Sequence, residues 1–486
     1  MKIYNSLTGK KEEFIPLNEG KVNMYACGIT VYDACHIGHA LQAIVYDVIS
    51  RYLRYKGYDV TYVRNYTDVD DKIIARANSE GVNAIEYSKI KIAEAEEDLH
   101  DIGVRDADKK PKATEYIDKI IDFVDGLIKK GHAYPTENGD VFFDVLSFKD
   151  YGKLSNKTVE DLRKGVRKEI APGKRNDLDF ALWKSAKPGE ISWTSPWGEG
   201  RPGWHIECSA MSIDTLGETF DIHGGGRDLI FPHHENEIAQ SEALTGKPFA
   251  RYWIHNGLIT VNGQKMSKSL GNSMTIREAV AIYNPDVIRY VMLSNHYSSN
   301  LDINDNTFTI AEKHMYYFYS SLLNMDAFAE GFDGEDSPAD EIIDAIEEKF
   351  IQSMDDNFNT SAVLADLFPL FKYGNSLLKC KKNVREENAK KIAKLTKAVR
   401  RHGEVLGLFE QNPAEFVEAM KAKYIKAVGI TTDEIESEIA LRAAAKAEKN
   451  YAEADAIRER LSAKGIIMMD SSQGTTWDIE FKTVGE

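Results

Sequence analysis

Cysteine is scarce in this chain: Cys27, Cys35, Cys208 and Cys380 are the four among 486 residues, and no two form a CxxC pair. That excludes a disulfide scaffold and favours a reducing compartment. No apolar run approaches the ~20 residues that a membrane span needs. The opening MKIYNSLTGKKEEFIP has neither an apolar h-region nor a cleavage-site pattern. A cytoplasmic protein with no membrane partner is therefore expected. Positive charge is also short, 61 Lys and Arg against 77 Asp and Glu, for a formal net charge of −16. Such a surface repels a phosphate backbone over roughly a Debye length, which argues against indiscriminate nucleic-acid binding but leaves a local patch open. One patch stands out: ten cations lie between Lys379 and Arg401, against Glu386 and Glu387 alone. A solvated helix face is the competing reading. Internal repeats and extended low-complexity tracts are absent, and so is the HExxH pattern of a zinc peptidase.

What is present reads as a folded protein of two or three domains, with 43% hydrophobic and 28% charged residues. KVNMYACG (Lys21 to Gly28) has the look of a short buried strand. Apolar residues at Leu41, Ile44, Val45, Val48, Ile49, Tyr52 and Leu53 predict a helix from about His36 to Tyr55, ended by Gly57. Val60 to Val63 follows as a second strand. Strand, helix, strand implies a parallel sheet with right-handed crossover and a ligand crevice at the strand C-terminal ends. Residues from about 101 to 202 read as an insertion in that sheet domain, with PWGEGRPGW (Pro196 to Trp204) as loop. An αβ stretch from Ile206 to about Val261 precedes the glycine-bounded loop NGQKMSKSLGN, and Thr275 with Glu278 forms a capping box that starts a helix. GFDGEDSPADE, beyond Glu330, is a credible linker, and the rest is mostly helical up to Lys464.

Three stretches carry chemistry. His36-Ile37-Gly38-His39 sits where the first strand feeds the first helix, and a helix N-terminus binds phosphate readily. Two histidines that merely cap the helix are the alternative. Lys265-Met266-Ser267-Lys268-Ser269 offers two cations in a loop, suited to phosphoryl chemistry, although lysines in loops are common. FPHHENE (Phe231 to Glu237) places His233 and Glu237 at i and i+4 on one helix face, with His234 or Glu235 equally able to be the exposed members. Two more ligands would have to come from elsewhere. Cys27 and Cys208 lie in suitable places, but free cysteine is usually a small core residue.

The first two motifs are HIGH and KMSKS, and the chain resembles the class I aminoacyl-tRNA synthetases. Within them it is most similar to the cysteinyl-tRNA synthetases, through YACGITVYDACHIGHA, NYTDVDDKI, HGGGRDLIFPHHENEIAQSEA and other segments over nearly its whole length. The resemblance implies an α/β, Rossmann-like parallel-sheet catalytic domain with an insertion, followed by a mostly α-helical tRNA-binding region. The corresponding spans are 1–305 (insertion about 101–202), 306–410 for a helical bundle on the tRNA stem, and 411–486 near the anticodon. It implies one zinc per subunit on Cys27, Cys208, His233 and Glu237, and magnesium with ATP. His36, His39, Lys265 and Lys268 would serve activation. ATP would meet His36, Gly38, His39, Gly226, Asp228 and Lys268, with Asp228 on the ribose. A helix N-cap is the plainer role for Asp228. Thr67, Asp68, Trp204 and His205 would line the cysteine pocket, or be turn and packing residues. The expected partners are tRNA(Cys), ATP and L-cysteine, and a monomer is expected. Trp477 would stack on an anticodon base or belong to the core. QGTTW (Gln473 to Trp477) continues with Asp-Ile where the family usually has basic residues.

Rival readings remain within reach of the same motifs. A ligase that passes cysteine to an amino sugar would share all three, but would need neither the long helical appendix nor QGTTW. A zinc hydrolase would have no use for the KMSKS loop. A non-catalytic RNA-binding relic should have lost a lysine or a ligand, and none is missing.

Overall fold

The computed structural model describes residues 1–164, 173–266, 270–304, 306–471 and 474–481. Two compact units divide the chain. Met1–Pro285, Met292–Asp302 and Ile351–Ala362 make up the first, and Asp286–Val291, Ile303–Phe350 and Val363–Glu486 the second.

The first unit is built on four parallel strands. Strand β1 (Lys21–Thr30) leads into helix α1 (Ile37–Tyr55) and strand β2 (Asp59–Thr67). After the inserted region come α2 (Trp204–Leu216), β3 (Phe220–Gly226), α3 (Glu235–Thr245) and β4 (Ala250–Asn256). The spatial order is β2-β1-β3-β4, so chain direction across the sheet reverses between β1 and β3. Such a switch point opens a crevice at the strand C-terminal ends. The apolar stripe of α1 is buried, and its Asp47 and Arg51 pair at 2.9 Å within that buried face. Tyr46 reaches from α1 to hydrogen-bond the carbonyls of Gly225 and Ile254, and Gly224 makes room for it. A Cβ at Gly224 would lie 2.2 Å from the Tyr46 ring.

The inserted region carries a sheet of its own, five antiparallel strands in the order 133–135, 141–143, 180–185, 198–202, 193–195. This corrects the reading of PWGEGRPGW as loop, since Gly198–Pro202 is a strand between two partners. Its glycines and proline are poor strand formers, and the ladder to Trp183–Ser185 is what holds it extended. Gly200 also sits against the Trp183 indole, where a Cβ would come within 2.3 Å of Nε1. Helix α4 (Ile276–Ile282) starts at Thr275 with the expected capping box to Glu278.

The second unit is helical, with α5 (Thr307–Phe328), α6 (Thr360–Leu377, whose first turn belongs to the first unit), α7 (Arg385–Leu406) and α8 (Thr432–Ala447) among its elements. It ends in a hairpin of β5 (Ile466–Ser471) and β6 (Gly474–Ile479), which pairs Met468 with Trp477. Among the described residues no helix is long and apolar enough to cross a membrane.

Candidate metal centre and nucleotide crevice

Cys27 lies near the C-terminal end of β1, where the register to β2 shifts between Ala26 and Ile29. Gly28 allows the irregularity, because a Cβ there would stand 1.6 Å from the Asn65 carbonyl oxygen. Cys208 projects from α2, and Glu237 from the first turn of α3. His233 precedes α3 in an irregular turn, Ile230–His234, so its meeting with Glu237 does not come from helical spacing alone. All four side chains are buried, and their donor atoms lie within 4.8 Å of one another.

The separations suit a metal. A tetrahedral zinc with Zn–S of about 2.3 Å sets its sulfurs about 3.8 Å apart, and with Zn–N and Zn–O of about 2.0–2.1 Å sets those donors about 3.3 Å apart. Cys27 Sγ lies 3.7 Å from Cys208 Sγ and 3.3 Å from Glu237 Oε1, and His233 Nε2 lies 3.0 Å from the same Oε1. Cys27, His223, His234 and Glu237 form a second close set. The pair of soft thiolates makes the first set the better match to zinc. His223 Nε2 instead sits 2.8 Å from the other Glu237 oxygen, at hydrogen-bond distance, as an outer residue holding a ligand carboxylate would.

Electrostatics bind the cluster together. The hydrogen bond from Cys27 brings Cys208 down to about 6, with His233 adding to it, while burial and Cys208 push Cys27 well up. Burial works against a charged His233, yet Glu237 and Cys208 raise it to about 10. Burial would also raise Glu237, but His223 and His233 outweigh it and hold the carboxyl well below its usual range. Burial and His233 lower His205, burial and His223 lower His234, and burial, His223 and Arg227 bring His255 to about 3.

His234 and Glu235, read from the sequence as possible exposed members, are both buried. His234 Nδ1 meets His255 Nε2 at 2.8 Å. The Glu235 carboxylate accepts from the backbone N–H groups of Gly152, Leu154 and Ser155, and so ties the inserted region to α3. His223 and His255 escaped the sequence reading. The signal was present: FDIHGGG and YWIHN are buried strands, and a polar ring there must find a partner.

The nucleotide motifs gather at the start of α1. His36 is the N-cap of α1; its Nδ1 accepts from the Gly38 N–H at 3.1 Å, while the His36 N–H donates to His39 Nδ1 at 3.2 Å. The two rings stack at 3.8 Å. Met266 of the KMSKS loop reaches this point, 3.3 Å from where a Gly38 Cβ would be. The following segment docks on the same strand exit, with Ile37 N–H donating to the Met274 carbonyl and Ile276 N–H to that of Cys35. HIGH and the flanks of KMSKS thus come together. Lys265 is exposed at the end of a short strand, Gln264–Lys265, in a small antiparallel sheet; Lys268 lies outside the described residues.

Asp228 follows β3 in a short 3-10 turn, exposed, with its carboxylate folded toward Gly226; it makes no side-chain cap. Gln42, one turn past His39, donates to the Cys27 carbonyl at 2.5 Å and joins the two halves of the crevice. Trp204 and His205 start α2 beside the metal cluster. The Trp204 ring is 4.3 Å from that of His233, and His205 Nδ1 is 2.9 Å from His233 Nδ1. Thr67 and Asp68 are buried at the end of β2, and the Asp68 carboxylate is taken by the backbone N–H and hydroxyl of Thr114.

The model for the tRNA synthetases class I (C) catalytic domain matches residues 13–313, and a DALR domain model matches residues 349–410. A cysteine–tRNA ligase of Geobacter metallireducens is 50% identical over 485 residues, covering 99% of this chain and 100% of the relative. This chain belongs to the cysteine–tRNA ligase family. Another cysteine–tRNA ligase, from Thermodesulfovibrio yellowstonii, is 47% identical over 99% of this chain and 100% of its own. In fold, it resembles a methionyl-tRNA synthetase of Mycobacterium tuberculosis solved in complex with methionyl-adenylate. The TM-score is 0.61 at 14% identity, covering 86% of this chain and 96% of that one. As a member of this family, the chain is an enzyme of the class I aminoacyl-tRNA synthetases.

Lys390, Lys391, Lys394, Lys397, Arg400 and Arg401 each pair with a carboxylate, among them Glu386, Glu387, Asp344 and Asp326. An acidic chain supplies such partners, so much of this face is neutralised within the protein. Trp477 is half-buried; its Nε1 donates to Glu436 at 3.0 Å, and Lys421 Nζ lies 5.0 Å above the ring.

Proposed function

We propose that this protein activates L-cysteine with ATP and passes the cysteinyl group to the 3′ end of tRNA(Cys), with a zinc ion on Cys27, Cys208, His233 and Glu237 selecting the substrate. The observation that carries the reading is the convergence of those four buried donors within 4.8 Å of one another. When bound, zinc would supply a soft acceptor that prefers a thiolate to a hydroxyl. A pocket sensing volume alone separates cysteine from serine by roughly 1–3 kcal/mol, which is why the cluster matters for fidelity.

The cysteine carboxylate attacks the α-phosphorus of ATP, the bond to the bridging oxygen breaks, and pyrophosphate leaves; magnesium, when bound, would neutralise phosphate charge. The terminal ribose hydroxyl of tRNA then attacks the acyl carbon and releases AMP. No protein nucleophile is required, so the work of the chain is positioning and charge stabilisation. His36 and His39 hold phosphate oxygens at the positive end of α1, and Asp228 accepts from the ribose hydroxyls. Lys265 and Lys268 stabilise charge on the transferring and leaving phosphates. Trp204 and His205 wall the amino-acid pocket, and Gln42 fixes the Cys27 backbone against α1. Thr67 and Asp68 close the end of that pocket, with the Asp68 carboxylate held by Thr114 and Thr67 bonded to Glu207. The helical unit takes the tRNA, with Lys379 to Lys382 as the part of the basic run best placed to reach phosphate.

The test is aminoacylation of total tRNA with labelled cysteine, before and after zinc removal, alongside pyrophosphate exchange with serine. Charging of tRNA(Cys) that falls on chelation, with negligible serine activation, is expected. Substantial serine activation by the zinc-loaded protein would overturn the selectivity role, and absence of cysteine charging would overturn the whole reading.

A further inference from the structure

Glu207 is a buried acid to which the aminoacylation scheme gives no direct task. It is 1% exposed, yet among the described residues no lysine, arginine or histidine pairs with its carboxylate, and Oε2 has no hydrogen-bond partner. The Thr67 hydroxyl donates to the same carboxylate, while Cys208, Asp68 and Asp70 lie close enough to oppose its charge. Both of those aspartates are already committed. Asp68 accepts from the N–H and hydroxyl of Thr114, and Asp70 caps a helix by accepting from the Lys72 N–H. Burying a carboxylate without a counter-charge is costly. Groups left in that condition concentrate at functional sites.

Its place in the fold says which cation would meet it. Trp204, Glu207, Cys208 and Met211 fall at i, i+3, i+4 and i+7 of α2 and share one face. That helix lies against β2, whose last residue is Thr67. Trp204 begins the face and is half-buried, and Cys208 is one of the four metal-ligand candidates. In L-cysteine the amino nitrogen is three bonds from the sulfur. With the sulfur at the Cys27, Cys208, His233 and Glu237 cluster, the ammonium group comes within reach of the side chain next to Cys208. Glu237 itself has no oxygen to spare, since Cys27, His233 and His223 engage both.

We propose that Glu207 supplies the carboxylate that receives the α-ammonium group of L-cysteine: Thr67 fixes one oxygen, and Oε2 accepts from the ammonium. The contact rests on the aminoacylation reading and adds to it a selection for α-amino acids over thiols that lack the amine. A metal that prefers thiolates makes no such distinction. A neutral carboxylic acid sealed in the core is the other state open to such a group, and it would show no preference for the amine.

The full-length zinc-loaded protein is compared with Glu207→Gln, which keeps the size and an oxygen for Thr67 but loses the charge. Two ligands are used: L-cysteine in pyrophosphate exchange, and 3-mercaptopropionate, the same thiol acid without the amine, as a competitive inhibitor. The substitution is expected to raise KM for cysteine about 30-fold or more, while the inhibition constant of 3-mercaptopropionate and the zinc affinity, read with a chromophoric chelator, each move by less than about threefold. Equal weakening of both ligands, or no weakening of cysteine, overturns the assignment. Because Glu207→Gln could disturb Cys208, a crystal structure of the unaltered protein with a non-hydrolysable cysteinyl-adenylate analogue is the second measurement. The amino nitrogen is expected within hydrogen-bond distance of Glu207 Oε2, and its placement on other groups overturns the assignment. An unaltered protein that fails to activate cysteine at all would instead overturn the aminoacylation reading, and this contact with it.

Discussion

Glu237 is the residue on which the metal cluster turns. One carboxylate oxygen faces Cys27 and His233 while the other is held by His223. Replacing an outer partner of a ligand typically costs 10–100-fold in metal affinity. His223→Asn should therefore lower zinc affinity by about that factor, in competition with a chromophoric chelator, while Cys27→Ser and Cys208→Ser should lower it further. Unchanged affinity in His223→Asn would remove His223 from the site. Lys268→Ala tests the other end of the crevice: a role confined to the transition state predicts a large fall in the pyrophosphate-exchange rate with little change in KM for ATP. Equal loss in both parameters would assign Lys268 to ground-state binding. Position 28 is set by space, since any Cβ collides with the Asn65 carbonyl. Gly28→Ala is expected to cost roughly 3 kcal/mol or more in chemical unfolding, beyond the range of ordinary surface substitutions.

At the scale of elements, caps and hairpins carry the expectations. Thr275 accepts from the Glu278 N–H while the Glu278 carboxylate takes the Thr275 N–H, which closes the start of α4 just after the KMSKS loop. Thr275→Ala should destabilise that start by about 1 kcal/mol, seen as faster amide exchange in α4. The terminal hairpin has an acid-sensitive latch. Arg442 first, then Lys446 and Thr475, hold the Asp470 carboxyl well below the usual carboxylate range. A depressed folded value means that its stabilisation is complete above the unfolded value near 3.9, and is lost as pH falls through the folded value. Amide protection in β5 and β6 should therefore drop below about pH 4, and Asp470→Asn should flatten that dependence.

Across the whole molecule, every candidate metal and nucleotide residue belongs to the first unit, while the hairpin with Trp477 belongs to the second. Removing the chain after Gly465 should spare adenylate formation and reduce tRNA charging; loss of both would make the hairpin a structural element of the enzyme. Much of the local fold is legible in the sequence. Strand, helix and capping signals at Lys21–Thr30, Ile37–Tyr55 and Thr275 depend on neighbours in sequence, and local pattern encodes them directly. HIGH, KMSKS and the family resemblance identified the chemistry in the same way. Other features depend on contacts between segments far apart in the chain. Gly198–Pro202 is a strand because Trp183 to Ser185 pairs with it, and Lys394, Lys397, Arg400 and Arg401 of the basic run pair with Asp344, Glu335, Asp326 and Glu347 from distant segments. His223 joins Glu237 because the fold brings their side chains together beside Cys27. The sequence by itself determined the family, the parallel-sheet core and the types of residue available for catalysis, because these are written in short spans and spacings. Only the tertiary structure decided which imidazoles surround the Cys27, Cys208, His233 and Glu237 cluster and which cations of the basic run pair within the protein. Those are matters of distance and burial, and sequence order does not fix them.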